Sequence, residues 1–160
     1  MAIREVREYF KRFGMEDEIM EFEVSSATVE LAAEALNCEP RRIAKTLSFM
    51  VNGLCILVVT AGDAKIDNTK YKAEFATKAK MLSPEETFEI VGHAIGGVCP
   101  FGIGDGIAVY LDISLKRFTT VFPACGSGNS AIELTISQLE RFSNCREWID
   151  VCKGWNSEAL

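Results

Sequence analysis

The chain has 160 residues, 48% of them hydrophobic and 25% charged, and a net charge of −6. That balance fits one domain over 1–160 with a real core; it excludes a disordered segment, which lacks the apolar residues to close one, and a pair of ordinary-sized domains. No apolar run approaches the roughly 20 residues of a membrane span, and residues 1–10 mix Arg and Glu where a signal peptide is apolar, so the chain is expected in the cytoplasm with no membrane partner.

Cysteines stand at 38, 55, 99, 125, 145 and 152 with no Cys-x-x-Cys pair, and His93 is the one histidine. A zinc site needs thiolates and imidazoles clustered at short spacing, so no metal is expected. Cys55 sits in Leu54-Cys55-Ile56-Leu57, the setting of a small buried hydrophobe in a reducing compartment. Charge is unevenly spread: residues 1–40 carry 4 basic and 10 acidic side chains, 41–80 carry 8 and 3, and 81–160 carry 5 and 10. Residues 41–80 thus offer a basic surface (Arg41, Arg42, Lys45, Lys65, Lys70, Lys72, Lys78, Lys80) on an acidic protein. Such a surface suits a short phosphate backbone and gives no general affinity for DNA.

In chain order, Ile3, Val6, Phe10 and Phe13 recur at helical spacing before Gly14, which predicts an amphipathic first helix. Residues 19–24 alternate as a strand. Ser26 is placed to cap a helix ending at Asn37, and Pro40 to open a short helical turn. Residues 45–51 and 54–60 are β-rich and joined by Asn52-Gly53, a type I′ hairpin signal, with Lys45 at the base. Asp67 can cap a helix through Phe75, and Ser83-Pro84-Glu85-Glu86 combines a cap, a first-turn proline and a capping-box glutamate. Strands are expected at 107–113, 119–122 and 131–134, a helical turn at 114–118 and a last helix at 137–142. The pattern is α+β or mixed α/β, a mixed or antiparallel sheet covered by helices. Trp148, Ile149, Val151 and Trp155 in the tail are expected to pack within the molecule.

Two segments offer a site with little side-chain chemistry. Arg41-Arg42-Ile43-Ala44-Lys45-Thr46-Leu47 brings one lysine to the start of an apolar strand. Gly92-His93-Ala94-Ile95-Gly96-Gly97-Val98-Cys99-Pro100-Phe101-Gly102 is a glycine-rich turn whose backbone can approach a ligand. In this order they resemble the YbaK/prolyl-tRNA-synthetase-associated editing family: a lysine followed by Thr and a hydrophobic residue, then a Gly-x-x-x-Pro loop at Gly96 and Pro100.

The resemblance implies a curved mixed sheet and a free-standing deacylase. Its reaction would be hydrolysis of the ester joining a small mischarged amino acid (Ala, Cys, Ser or Thr) to a tRNA, tRNA(Pro) among the candidates, without cofactor. An aminoacyl-tRNA synthetase is a further expected partner. The resemblance assigns catalysis to Lys45, Gly96, Gly97 and Pro100. Substrate binding falls to Thr46, Thr60, Gly62, Val98, Cys99, Phe101, Gly102 and the loop Gly126, Ser127, Gly128, Asn129. Some relatives carry a histidine after those glycines, where this chain has Asn129 and Ser130. Arg41, Arg42, Lys70 and Lys72 are expected to meet tRNA. Two other readings of the same residues are a cysteine hydrolase using Cys99 or Cys125 with His93, and a module that binds tRNA or an aminoacyl ligand without hydrolysing it.

Overall fold

The centre of the molecule is a hairpin of two strands, β2 (Ile43–Val51) and β3 (Leu54–Ala61), closed by Asn52 and Gly53 at φ 51° and 81°. Both turn residues adopt the positive φ that a type I′ turn requires. The register pairs Lys45 with Thr60. From Cys55 on, every β3 residue is buried, as expected of a strand covered on both faces.

A computed structural model describes residues 2–156, so residue 1 and residues 157–160 of the expected 1–160 span lie outside the described residues. Around the hairpin run α1 (Ala2–Lys11), β1 (Met20–Glu21), α2 (Val29–Leu36), β4 (Lys65–Ile66), α3 (Asn68–Phe75), α4 (Pro84–Val91), β5 (Ala108–Asp112), β6 (Thr120–Pro123), β7 (Ser130–Ala131), β8 (Leu134–Thr135), α5 (Ile136–Ser143), β9 (Glu147–Ile149) and β10 (Cys152–Lys153). The main sheet has the order β8-β6-β2-β3-β5-β9. It is mixed: β2 is antiparallel to β3 but parallel to β6, and β5 is parallel to both β3 and β9. Short pairs β1–β7 and β4–β10 lie outside it.

Local signals place most helices. Asp67 Oδ1 accepts from the amides of Thr69 and Lys70, and Ser83 with Glu86 closes a capping box. At α2 the cap is Thr28, whose Oγ1 accepts from Leu31 N at 3.1 Å, in place of the expected Ser26. Ser26 is needed elsewhere: its amide donates to Gly128 O at 2.7 Å, and Phe22 N donates to Asn129 O at 2.8 Å. Residues 22–26 therefore line the loop after β6, which shortens the strand expected at 19–24 to two residues. The strand expected at 131–134 divides, because the chain pairs first with β1 and then with β6.

β6 covers only the start of β2. The rest of β2 meets an extended segment instead, with Met50 N donating to Lys80 O and Leu82 N to Ser48 O. At the other end of the sheet, the buried Asp112 accepts from Ser114 N and Val151 N, which draws the tail back against β5. An aromatic cluster of Phe10, Phe13, Phe101 and Phe142 fixes α1 to α5 and to the glycine-rich turn.

Candidate functional site

A cavity of about 210 Å³ opens between β2, the start of α2, α4 and the turn after it. Its walls are mostly apolar: Val29 and Ala32 from α2, Ile43, Ala44 and Leu47 from β2, Leu82 and Pro84 at the start of α4, and Phe122 from β6. Lys45 is the one charged side chain among its lining residues. Hydroxyls contribute the rest of its polarity. Ser48 and Thr87 share a hydrogen bond at 2.9 Å across β2 and α4, while Ser26 Oγ and Thr46 Oγ1 are enclosed without a partner among the described residues.

Lys45 projects at the end of the cavity where the hairpin leaves for β4. Its Nζ lies 3.5 Å from Gly62 O, a long contact at the limit of a hydrogen bond. Burial lowers its pKa from the ordinary 10.5, against the support of Asp63 and Glu30.

The glycine-rich turn reaches the cavity through Ile95, Gly96 and Val98. Gly96 has φ 88°, and a Cβ there would lie 2.7 Å from that of Ala27. Gly97 sits against the second glycine loop, where a Cβ would meet Ser127 N at 2.5 Å. The turn's amides alternate in use. Gly97 N donates to Ala94 O and Cys99 N to His93 Nδ1, while the amides of Gly96 and Val98 bond to no other described residue.

Of the residues expected to bind substrate, Thr46 and Val98 line the cavity and the others do not. Thr60 is fully buried, its hydroxyl donating to Ala61 O. Phe101 belongs to the aromatic cluster, and Gly102 packs on the backbone of Glu5 and Val6. Pro100 is buried behind the turn. Gly126 faces Ala2 and Val6, Ser127 bonds Asn129 and Ser130, Gly128 receives the amide of Ser26, and Asn129 donates to Phe22 O. This loop thus buttresses the wall, and only its ends, Ala124 and Ser130 with Ala131, touch the cavity.

Cys99 and His93 do meet, with Sγ 3.8 Å from Nδ1, but both are fully buried and neither lines the cavity. Because Nδ1 accepts the Cys99 amide, the ring proton is on Nε2, and burial lowers the histidine pKa so that the ring is neutral. Burial also pushes the Cys99 thiol up to about 12 and the Cys125 thiol well above its usual value. A thiolate nucleophile needs the opposite, so the cysteine hydrolase reading fails on geometry and on charge.

Three residues of the expected basic surface are ion-paired. Arg41 pairs with Glu39; Arg42 bonds Thr120 and Glu133 and stacks on Phe122; Lys70 bonds Asp150 and Cys152 O. Lys72 is exposed and, with Lys78, Asn68 and Thr69, borders an open groove.

What sequence reading missed are the cavity walls: Thr87, a polar residue on the buried side of α4, and the exposed apolar side chains of Met81 and Ile95 at the rim. Among the described residues no cluster of His, Cys, Asp and Glu could hold a metal ion, and no helix is long and apolar enough to cross a membrane.

Over 156 residues the chain is 58% identical to an uncharacterised protein of Bacillus subtilis, YwhH, covering 97% of this chain and 99% of that one. It is 26% identical over 125 residues to a proline–tRNA ligase of Geobacillus, covering 78% of this chain but only 22% of the ligase. The crystal structure of a candidate trans-editing enzyme for prolyl-tRNA synthetase superposes with a TM-score of 0.85 at 27% identity, covering 96% of this chain and 98% of that one. Residues 23–142 match the aminoacyl-tRNA editing domain, and the chain belongs to that family.

Proposed function

We infer that the protein is an aminoacyl-tRNA deacylase that hydrolyses the ester of a small, mischarged amino acid. The observation that carries this reading is Lys45, a lone charge in a small, otherwise uncharged cavity flanked by two uncommitted amides. A cavity of about 150 Å³ accepts benzene, so one of about 210 Å³ admits a small aminoacyl group and leaves the nucleoside outside. The terminal adenosine then rests at the mouth, where Met81 and Ile95 are 58% and 71% exposed and offer an apolar surface to a base.

With the aminoacyl group inside, the amides of Gly96 and Val98 can donate to the scissile carbonyl, and the Lys45 ammonium can offset negative charge on the ester oxygens as water attacks. Preorganised donors of this kind act where charge develops in the transition state. Among the described residues no carboxylate or imidazole lines the cavity, so the ribose hydroxyl beside the ester can orient the attacking water and relay its proton to the departing ribose oxygen as the ester bond breaks. Candidate substrates are tRNAs bearing Ala, Cys, Ser or Thr, with tRNA(Pro) favoured by the resemblance to proline–tRNA ligases, and the synthetase itself is a proposed partner.

The test is a deacylation time course on tRNAs charged with Ala, Cys, Ser, Thr or Pro, for wild type and Lys45→Ala. Rapid, Lys45-dependent loss of one noncognate ester supports the reading. Binding of charged tRNA with every ester intact would make the domain a binding module instead.

A further inference from the structure

The turn that receives Lys45 is held from two sides. On one, a Cβ on Gly62 would stand 2.1 Å from Pro40 O, so the turn is pressed against the backbone before β2. On the other, Asp63 forms a two-pronged ion pair with Arg117, its Oδ1 at 2.6 Å from Nη2 and its Oδ2 at 3.0 Å from Nη1. Arg117 is itself fixed: Nε donates to Ser114 O at 2.9 Å, Nη1 to Trp155 O at 3.0 Å, and the guanidinium lies over the rings of Trp155 and Phe118. Planar, bidentate pairing of this kind gives a defined geometry that a lysine in place of the arginine does not reproduce. It also gives the C-terminal tail a task, because the last bond in the chain of contacts comes from Trp155.

The groups facing Lys45 come from several elements. Glu30 on α2 and Lys65 on β4 are exposed, where solvent screens them, and they act in opposite directions. Cys152 on β10 is a buried thiol, and burial raises its pKa, so it is neutral. Asp63, half-buried and next to the Gly62 carbonyl, is the remaining anion, and Arg117 balances it.

We propose that the Asp63–Arg117 pair is the positioning device of Lys45: it fixes the turn whose Gly62 carbonyl parks the ammonium, and its two charges set the field in which that ammonium sits. The proposal rests on the deacylase reading for its link to activity, but not for its test on the lysine itself.

The sign of the effect differs for the two partners. Asp63→Asn removes the anion and leaves an unbalanced guanidinium, so the ammonium loses its proton at lower pH. Arg117→Gln leaves an unbalanced carboxylate, so the ammonium keeps its proton to higher pH. Each shift is expected at roughly half a pH unit or more, and the double variant returns near wild type.

The experiment is competitive acylation of Lys45 in the intact protein with a small anhydride across pH, read by mass spectrometry, alongside the pH profile of deacylation. Opposite displacements of the labelling midpoint support the proposal, as does an Arg117→Lys variant that keeps the charge, and so the midpoint, but loses the two-pronged geometry and with it deacylation rate. Displacement in the same direction, or none, in variants with unchanged circular dichroism overturns it. Should Arg117→Gln fail to fold, the fall in midpoint for Asp63→Asn, restored by Asp63→Glu, decides alone. If the midpoints move as stated while Lys45→Ala deacylates at the wild-type rate, the deacylase assignment of Lys45 falls and the positioning role stands.

Discussion

The amide of Gly126 donates to the carbonyl of Gly97 at 2.9 Å, and this bond joins two loops that are 29 residues apart in sequence. One loop carries to the cavity the amides of Gly96 and Val98, which have no partner among the described residues; the other is stitched to residues 22–26. Backbone lies on backbone here, so neither side can move aside for a side chain.

Gly97→Ala tests that contact. The new Cβ would fall 2.5 Å from Ser127 N and 2.6 Å from Gly126 C, so the loops must separate and the Gly96 and Val98 amides move with them. A displacement of about 1 Å at a reacting centre costs on the order of a hundredfold in rate, and a loss of that size in kcat is expected. Gly104→Ala and Gly106→Ala, which meet nothing within 4 Å, are the controls and should keep both rate and melting temperature. Equal behaviour of all three variants would show that the loop contact is irrelevant to the site.

Much of the fold was legible because its signals are local. Asn52-Gly53 dictates its own turn, and Ser83 with Glu86 its own helix start, whatever surrounds them. The tail strands β9 and β10 were not legible: they have three and two residues, and what holds the tail against the sheet is Asp112, 39 residues before Val151. The same limit applies to the site. Lys45 and Gly96, singled out from their immediate neighbours and the family resemblance, both line the cavity, but Pro100, Phe101 and Gly102 follow the turn inward, toward an aromatic cluster supplied by α1 and α5. Thr87 could be known as a wall only once Ser48 had been placed opposite it.

His93 makes stability depend on pH. Its folded pKa is lowered by burial from the ordinary 6.5, against the pull of Glu5 and the bond from Cys99. Below about 6.5 the unfolded chain gains a proton that the folded chain does not, so stability falls as pH falls, by up to about 1.4 kcal/mol per pH unit until the folded pKa is reached. Chemical denaturation at pH 7.5, 6.5 and 5.5 should show this decline in wild type. His93→Gln, less stable at pH 7.5, should show a flatter profile; an equal slope in both would assign the effect to other groups.

The buried thiols are expected to be dispensable for chemistry but not for packing. Cys99→Ala and Cys125→Ala should each retain the deacylation rate within about twofold, while removal of a fully buried sulfur costs on the order of 1 kcal/mol. Native protein should resist alkylation at both positions, since each thiol is enclosed and its pKa raised. A folded Cys99→Ala protein without activity would revive the thiol mechanism.

Ion pairing divides the basic residues into two groups with different expected effects on tRNA. Arg42 is tied to Thr120 and Glu133 and Lys70 to Asp150, so their charge is already balanced by the protein. Lys72 and Lys78 are exposed on the groove beside α3 and have no carboxylate partner among the described residues. Each phosphate contact contributes roughly 0.7 to 0.9 to the slope of log affinity against log salt. Lys72→Gln and Lys78→Gln should therefore each reduce that slope by about one contact and raise KM for charged tRNA, with kcat unchanged. Arg42→Gln should instead lower thermal stability and leave the slope near wild type. If the arginine variant alone changes the slope, the phosphate path runs along the β6–β8 side of the sheet and not through the groove at α3.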